Sequence, residues 1–382
     1  MADRINELTL KLANFLLEEN GGIYTFSISG FIAYLTLSLV HKGLRGAEKD
    51  NLANLLKCNH SFREILPHEY TVEYHCIDYF GMDEFLSVGS VQSAIFYSKP
   101  LVETFIQTVL ETSDIKLCPI DPRNLHLQLQ TIYKWRDTLR HITLSKISFQ
   151  QYNDELCLMI VSEYYLHFKW AKEFQRDLTH KKKFTLINSQ IMHVKMMRKV
   201  ELLRYYDDKF LKASVIFLEL HEKHMYAAVV LPYENNLKQL LQCMNGQKLT
   251  SWFRESNTKM VDLYLPKFDF FTKTHLKSFL RHYYLKSIFN RNQADLTGIF
   301  KNPADLMGIF KNEGFINDYI QISSISINEI GSFIKSPETA AFIPKSVAVE
   351  EQFLVNRPFI FYLYNSTNDL VLHLSVIMHP IQ

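Results

Sequence analysis

Residues that could bind a metal or carry out catalysis are scattered along this chain. The densest group of potential metal ligands is Glu219, His221, Glu222 and His224. On a helix this spacing could hold a metal ion, but the group directly precedes the apolar segment 225–232, which favours a solvated turn. No glycine-rich phosphate loop, no H-E-x-x-H and no G-x-S-x-G motif occurs. We therefore expect no metal, no cofactor and no enzymatic activity.

The cysteines point to no zinc or redox motif either. They are odd in number, widely spaced and without a C-x-x-C pair, at Cys58, Cys76, Cys118, Cys157 and Cys243. This usage favours buried thiols in a reducing compartment. The N-x-S/T triplets at Asn59 and Asn365 matter only if the chain is secreted. The compartment stays open between extracellular, by a route or signal not visible in this chain, and cytoplasmic.

Composition limits the partners and the number of domains. The 382 residues include 42 basic and 40 acidic side chains, a net charge of +2, which argues against nucleic acid or a membrane surface as the main partner. Only 12 glycines and 11 prolines occur, and no segment resembles a linker. The abundance of Phe (28) and Tyr (20) favours strands. One large α+β domain is the expected architecture.

Periodicity gives the elements that must position any site. An amphipathic helix is predicted from Ile5 to Leu16, ending at Asn20-Gly21-Gly22, and no export signal is evident near it. The strictly alternating segment 320–327 predicts a half-buried strand, and 225–232 a buried one. Further helices are predicted at 101–111, 125–141 and 275–284. Two apolar strands around residues 365–369 predict a C-terminal hairpin.

A short tandem repeat interrupts the pattern. Residues 293–302 (QADLTGIFKN) and 303–312 (PADLMGIFKN) are identical at eight of ten positions. One repetition of ten residues is too little for a solenoid. A local duplication that lengthens a surface loop is the simpler interpretation, and a partner-binding loop is the alternative.

A series of short motifs, in a fixed order along the chain, resembles the serpin (serine protease inhibitor) superfamily. The last of them is Asn328-Glu329-Ile330-Gly331, followed about two dozen residues later by Phe353 to Phe361. The earlier ones are Phe26-Ser27, Gly43-x-x-Gly46, Ile132-x-x-Trp135, Tyr165 with Trp170, Phe174 and Thr179, Val194 to Met197, Leu231-Pro232, Trp252, Leu265 to Phe268 and Ala294 to Leu296. By the family's distances, the duplication at 293–312 has added ten residues to an otherwise regular serpin.

The resemblance implies a fold and a mechanism. The fold is a single α+β domain over residues 1–382, with three β-sheets, about eight to nine helices and an exposed reactive-centre loop at about 331–356. A protease attacks the loop and forms an acyl-enzyme. The cut loop then inserts into the main sheet as a new antiparallel strand and traps the protease covalently. The implied partner is a serine protease, and the protein is expected to act as a monomer.

The loop residues indicate a target class. Family spacing from Gly331 places the scissile bond between Lys345 and Ser346, and the local string from Ile343 resembles a serpin reactive bond. A lysine before the bond suits trypsin-like proteases, whose primary pocket is acidic. The neighbouring positions expected to contact the protease are Phe342, Ile343, Pro344 and Val347.

The hinge departs from the pattern of inhibitory relatives, which carry a run of alanines there. The hinge residues are Glu329, Gly331, Ser332, Ile334, Pro337 and Glu338. Pro337 lacks an N–H and would lose one ladder bond in an inserted strand. By alternation Glu338 would bury its carboxylate in the core. Both changes would slow insertion, and slow insertion yields a cleaved substrate instead of a trapped protease.

The residues that open the sheet in relatives are altered as well. They correspond here to a sheet-opening cluster formed by Ser27, Gly30, Ser162 and Gln321. A rewired hydrogen-bond network and a stiffer, non-switching sheet are both consistent with these changes. Two hypotheses follow. The first is a suicide inhibitor of a trypsin-like protease. The second is a non-inhibitory serpin fold that serves as a binding or chaperone-like protein.

Overall fold

The computed structural model describes residues 1–58, 62–65, 71–74, 80–112, 115–136, 156–301, 314–332 and 348–380. The described helices are α1 (Ala2–Glu19), α2 (Gly30–Gly43), α3 (Gly46–Leu56), α4 (Asp83–Leu86), α5 (Glu103–Thr112), α6 (Leu125–Arg136), α7 (Leu237–Cys243), α8 (Gly246–Glu255) and α9 (Lys277–His282). Helix α1 forms because its apolar residues recur at helical spacing, and Ile5, Leu8 and Leu12 are fully buried. Helix α2 begins at Ser29, whose Oγ accepts the Ile32 N–H.

The strands form three sheets among the described residues. The first half of the chain gives β1 (Phe26–Ile28), β2 (Phe62–Ile65), β3 (Thr71–Tyr74), β4 (Gly89–Tyr97), β5 (Ile115–Pro119), β6 (Leu158–Leu166), β7 (Phe168–Lys169) and β8 (His180–Thr185). The second half gives β9 (Ile191–Asp208), β10 (Ala213–Glu219), β11 (Met225–Pro232), β12 (Asn257–Pro266), β13 (Phe268–His275), β14 (Ile316–Ile327), β15 (Gly331–Ser332), β16 (Glu351–Leu354), β17 (Phe359–Asn365) and β18 (Leu370–Ile377).

The topology separates a long sheet from a main sheet. The long sheet runs β1-β18-β17-β11-β10-β9-β12-β16, with β8 added on β9. The main sheet runs β5-β4-β6-β14-β15-β7, with β13 added on β14, and β2 pairs with β3 alone. Strands β6 and β14 are parallel and directly paired from Leu158 opposite Ile316 to Tyr165 opposite Ser324. The main sheet is therefore closed along this pair.

Both faces of the main sheet are covered. One face packs on the principal core, which includes Tyr164 and Ile325. The other face packs under α6 in a second cluster, where the Phe96 and Trp135 rings meet edge to face with centroids 5.6 Å apart. Because both faces are buried, any new strand in this sheet must bury its side chains on both sides as well.

The α+β, single-domain, three-sheet architecture expected from the sequence is confirmed. Helix α1 and the C-terminal hairpin of β17 and β18 fall where periodicity places them. His221 and His224 lie in the turn between β10 and β11, as expected. None of the described helices is both long and apolar enough to cross a membrane.

Three expectations were wrong in part. Strand β14 is not half-buried, because its polar residues Gln321 and Ser323 are as enclosed as its isoleucines. The predicted helix 275–284 shortens to α9, because residues 268–275 pair with β14 as a strand. The cysteines are not all buried thiols: among the described ones Cys157 is buried, Cys118 half-buried and Cys243 exposed, and Cys58 is disulfide-bonded.

Candidate functional site

The chain begins to form a new strand directly after β14. Ser332 lies opposite Ile327 of β14 on one side and opposite Phe168 of β7 on the other, antiparallel to both. Its side chain is fully buried, and its Oγ donates to the Leu166 carbonyl at 2.9 Å. The first two loop residues, Gly331 and Ser332, thus occupy the open end of the β6–β14 pair. We call residues 329–332 the proximal foot of the loop.

Gly331 is required at this position by close backbone contact. A Cβ on Gly331 would lie 2.0 Å from the Phe168 carbonyl oxygen and 2.8 Å from Lys169 Cα, and its φ of +151° is one that L-residues rarely adopt. The main chain of β7 cannot move aside without breaking the Ser332–Phe168 pairing. Only glycine lets the chain turn back at the end of β14 and enter the space between β14 and β7. We call the pair Gly331 and Ser332, held between these strands, the wedge.

We predict that Gly331→Ala lowers the free energy of unfolding by about 2–4 kcal/mol, since strained dihedrals and a backbone clash add. The matched control is Gly46→Ala. Gly46 also has positive φ (+60°), but nothing lies within 4 Å of its added Cβ. The control should lose only about 1 kcal/mol. Urea unfolding of both variants measures the difference. Equal losses in the two would contradict the wedge as a tight backbone contact.

Glu329 anchors the proximal foot by two hydrogen bonds to other parts of the chain. Its Oε2 accepts from Lys267 Nζ at 2.7 Å and its Oε1 accepts from Thr179 Oγ1 at 2.9 Å. Burial alone would raise the pKa of Glu329, but the Lys267 ammonium, the Glu329 backbone N–H and the Thr179 hydroxyl together lower it. The carboxylate is therefore ionised, and it ties the end of β14 to the start of β13 and of β8.

An aromatic cluster supports this foot. Trp170 Nε1 donates to the Asn328 carbonyl at 2.9 Å, and the Trp170 and Phe174 backbone N–H groups donate to the Ile330 and Glu329 carbonyls. The Trp170 ring meets the rings of Phe168 and Phe174 edge to face. The sequence marks Trp170 and Phe174 as part of a motif, whereas their contact with the hinge becomes visible only in the structure.

The chain returns at a second foot in the long sheet. Strand β16 pairs in parallel with β12, with Phe353 opposite Leu263. Lys259 Nζ binds Glu351 Oε1 at 2.6 Å, and the Asn356 carbonyl accepts the Thr185 N–H at 2.7 Å. We call residues 348–356 the distal foot.

Residues 333–347, which connect the two feet, lie outside the described residues. The predicted hinge positions Ile334, Pro337 and Glu338 are among them. So are the predicted reactive bond and its neighbours, namely Phe342, Ile343, Pro344, Lys345, Ser346 and Val347. The second copy of the tandem duplication, 303–312, also lies outside the described part of the chain.

Gln321 is the centre of the sheet-opening cluster. Its Oε1 accepts the Ser29 N–H at 3.0 Å and its Nε2 donates to the Ser29 carbonyl at 2.9 Å. Ser29 in turn donates from Oγ to the Leu372 carbonyl at 2.6 Å. Strand β14 is thereby fastened to the first turn of α2, which lies beneath the sheet.

Ser162 and Ser27 hold the neighbouring strands by hydroxyl contacts. Ser93 Oγ donates to Ser162 Oγ at 2.9 Å, which joins β4 to β6. Ser27 Oγ is hydrogen-bonded to Thr272 Oγ1 at 2.9 Å and to Ser323 Oγ. The side chains of Ser27, Ser162 and Gln321 thus lie on the same face of the main sheet, and all three residues are buried.

Gly30 has a packing role beside this network. A Cβ on Gly30 would lie 2.0 Å from Thr9 Oγ1 and 2.6 Å from Thr9 Cα. The residue therefore allows α1 and α2 to cross in direct backbone contact. It contributes space, not a hydrogen-bonding group, to the sheet-opening cluster.

A buried histidine in this region was missed by the sequence analysis. His373 of β18 is fully enclosed, with Nδ1 3.2 Å from the Tyr164 hydroxyl of β6 and Nε2 2.7 Å from Ser375 Oγ. Burial lowers the pKa of His373 to about 3, so the ring is neutral. A polar residue within the apolar run 370–377 was the available signal, but its partner on β6 is about 200 positions away in sequence.

The geometry is that of a closed parallel strand pair, β6 and β14, with Gly331 and Ser332 held at its open end. The chain belongs to the serpin (serine protease inhibitor) family, whose model matches residues 3–380. Human Serpin B11 is 23% identical over 98% of this chain and 98% of its own length. An uncharacterized serpin-like protein of Methanosarcina acetivorans is 25% identical over 73% of this chain, and the match spans 64% of that relative.

Structure comparison gives the same fold. Human thyroxine-binding globulin, solved in complex with thyroxine, superposes with a TM-score of 0.77 at 16% identity and covers 100% of both chains. At this identity the likeness establishes the fold alone. The family membership supports protease inhibition as the general activity.

Proposed function

We propose that the protein is a suicide inhibitor of a trypsin-like serine protease, cleaved between Lys345 and Ser346. The observation that carries the proposal is the wedge of Gly331 and Ser332 between β14 and β7. These residues run antiparallel to both neighbours, so they already form the first step of a strand between β6 and β14. We propose further that the protein acts as a monomer, and that nucleic acid and membranes are not its partners.

The pairing of the wedge gives a register for the inserted loop. Ser332 lies opposite Ile327 and Phe168, so continued pairing would place Pro337 opposite Ile322 and Glu163. Ile322 and Glu163 are also paired with each other in the closed sheet. Counts along the two strands therefore agree. Once β6 and β14 separate, the loop could pair with both of them without a change of register in either strand.

The same register would place an inserted Glu338 opposite Gln321 and Ser162. Both are buried and already engaged, Gln321 with Ser29 and Ser162 with Ser93. No described cation belongs to this cluster, because the Arg136–Glu163 ion pair involves the neighbouring register position, whose side chains lie on the other face of the sheet. An inserted Glu338 would have to displace one of these hydrogen bonds or take up a proton.

The proposed chemistry uses the protease's own serine. The serine oxygen attacks the Lys345 carbonyl, the bond to the Ser346 nitrogen breaks and this nitrogen takes up a proton. An ester then joins the loop to the protease. Insertion of residues 333–345 would carry this ester away from the protease active site's native surroundings before water cleaves it. The outcome is a competition between insertion and hydrolysis.

Replacement of Lys345 tests the target class. We expect Lys345→Leu to lower the rate of loop cleavage by trypsin at least about 100-fold, since the acidic primary pocket loses its charged partner. Chymotrypsin should cleave the variant at the same bond. The matched control is Lys301→Leu, an exposed lysine outside the loop. Unchanged cleavage of the Lys345 variant by trypsin would place the reactive bond elsewhere.

A non-inhibitory binding or chaperone-like role is the second candidate. Pro337 and Glu338 favour it, because both oppose insertion, and the solved relative with bound thyroxine shows that this fold can hold a small molecule.

For the compartment, the disulfide at Cys58 favours the extracellular alternative, since such bonds persist in oxidising surroundings.

A further inference from the structure

We infer that the hairpin of β8 and β9 is a docking surface for an acidic face of the protease that attacks the loop. The surface consists of Lys181, Lys183, His193 and Lys195, which we call the basic strip. The inference rests on the proposed function and adds a second point of contact to it, separate from the reactive bond.

The strand register gathers these side chains on one face. Lys181 lies opposite Lys195 and Lys183 opposite His193 in the antiparallel pair, and all four are exposed. The alternate positions of the hairpin, Phe184, Val194 and Met196, are buried and hold it to the core. The basic strip is therefore displayed on a fixed strand pair and not on a loop.

Within the described part of the chain, no ion pair involves Lys181, Lys183 or Lys195. Nearby cations differ in this respect, since Lys199 binds Glu201 and Lys267 binds Glu329.

Like charges directly opposite each other in an antiparallel pair are destabilising. Lys181 and Lys195 stand in this relation, and no ion pair among the described residues offsets their repulsion. An acidic partner bound at the basic strip would offset this repulsion.

The basic strip lies between the two feet of the loop. Thr179, directly before β8, donates to Glu329 of the proximal foot at 2.9 Å. Thr185, the last residue of β8, donates its N–H to the Asn356 carbonyl of the distal foot at 2.7 Å. Six strand residues span about 20 Å. The basic strip therefore lies between the points where residues 333–347 leave and rejoin the described structure, and we expect a protease bound at Lys345 to stand near it.

Charge complementarity selects the occupant. The residue proposed to enter the protease pocket, Lys345, already demands an acidic pocket, and the basic strip extends the same preference to the surface beside the cleft. Opposite charges on two docking faces accelerate encounter by up to several orders of magnitude at low salt, and the effect is screened as salt rises. The basic strip is thus expected to act on the association rate.

The test compares two trypsins of matched specificity and opposite net charge, anionic and cationic trypsin. The variant Lys181→Glu with Lys183→Glu and Lys195→Glu reverses the basic strip. The control Lys116→Glu with Lys134→Glu and Lys286→Glu makes the same change in net charge at exposed lysines elsewhere. The readout is the second-order rate constant for loop cleavage, with N-terminal sequencing of the product, at low and high salt.

We expect the reversed strip to slow anionic trypsin by at least about tenfold at low salt, with the difference lost at high salt. The control variant should change the rate by less than about threefold. If both variants change the cleavage rate equally, or if neither changes it, the docking surface is wrong. Cleavage before Ser346 in the same experiment would leave the proposed function intact. Absence of cleavage by both trypsins would overturn the proposed function and, with it, this inference.

A sulfated polysaccharide is the alternative occupant, and a heparin column distinguishes it. If the reversed strip loses retention on heparin while its cleavage rates stay unchanged, the surface serves a polysaccharide and the protease assignment is wrong. Both triple variants are expected to fold, because all six lysines are exposed and none lies in the hinge or the core. Circular dichroism of the two variants checks this.

Discussion

Cleavage between Lys345 and Ser346 is expected to raise the melting temperature by roughly 10–20 °C. Insertion would add about ten ladder hydrogen bonds, each contributing about 1 kcal/mol. In a chain of 382 residues each kcal/mol moves the melting temperature by a degree or two. The register set by Ser332 allows these bonds to form once β6 and β14 separate, without a change of register in either strand. Differential scanning calorimetry before and after limited proteolysis measures the shift.

The control for this shift is Ser336→Arg. The proposed register would place an inserted residue 336 opposite Ser323 and Tyr164, on the face that packs on the principal core. An arginine there would have to be buried without a partner on insertion, which costs several kcal/mol. The variant should be cleaved as readily as the parent but show little or no gain in melting temperature. An equal gain in both proteins would contradict the proposed register.

Replacement of residues 334–337 by alanine is expected to increase the fraction of protease that is trapped. Pro337 leaves one neighbouring carbonyl without its N–H donor, at a cost of about 1–3 kcal/mol if the carbonyl stays dry. If this cost is present while the loop enters the sheet, its removal speeds insertion by about 5- to 150-fold. Hydrolysis of the ester is unaffected, so the partition shifts towards the trapped complex. Titration of trypsin activity gives the number of inhibitor molecules consumed per protease trapped.

Two single variants separate the causes. Pro337→Ala restores the missing donor, and Glu338→Gln removes the charge that would meet Gln321 and Ser162. Either one should lower the number of inhibitor molecules consumed per trapped protease. If the four alanines and both single changes leave that number as it is in the parent, then the hinge does not limit trapping. The sheet-opening cluster would then become the place to search.

The sequence predicts the local elements of this fold well, and the reason is physical. Helix α1 and the hairpin of β17 and β18 carry their own periodicity and turn residues. Strand β14 shows where this information ends. The alternation of Ile with Gln321 and Ser323 predicts a strand with one solvent-exposed polar face. In the structure, Ser29 and Ser27 form hydrogen bonds with the Gln321 and Ser323 side chains, and these bonds allow both side chains to be buried.

The polar network beneath the sheet shows the same limit. The substitution at Gln321 is visible in the sequence as a departure from the family, whereas its paired hydrogen bonds to Ser29 depend on how α2 packs against β14. His373 and Tyr164 are joined across two sheets. Such contacts are set by tertiary packing, and no local pattern encodes them.

Covalent trapping can be measured on a denaturing gel after incubation with a slight excess of trypsin, together with N-terminal sequencing of the released fragment. We predict an adduct that survives denaturation, accompanied by a fragment that begins at Ser346. Complete cleavage at Ser346 without any adduct would contradict the inhibitory mechanism and leave the protein a presented but non-inserting substrate. A fragment with another N-terminus would contradict the assignment of the reactive bond.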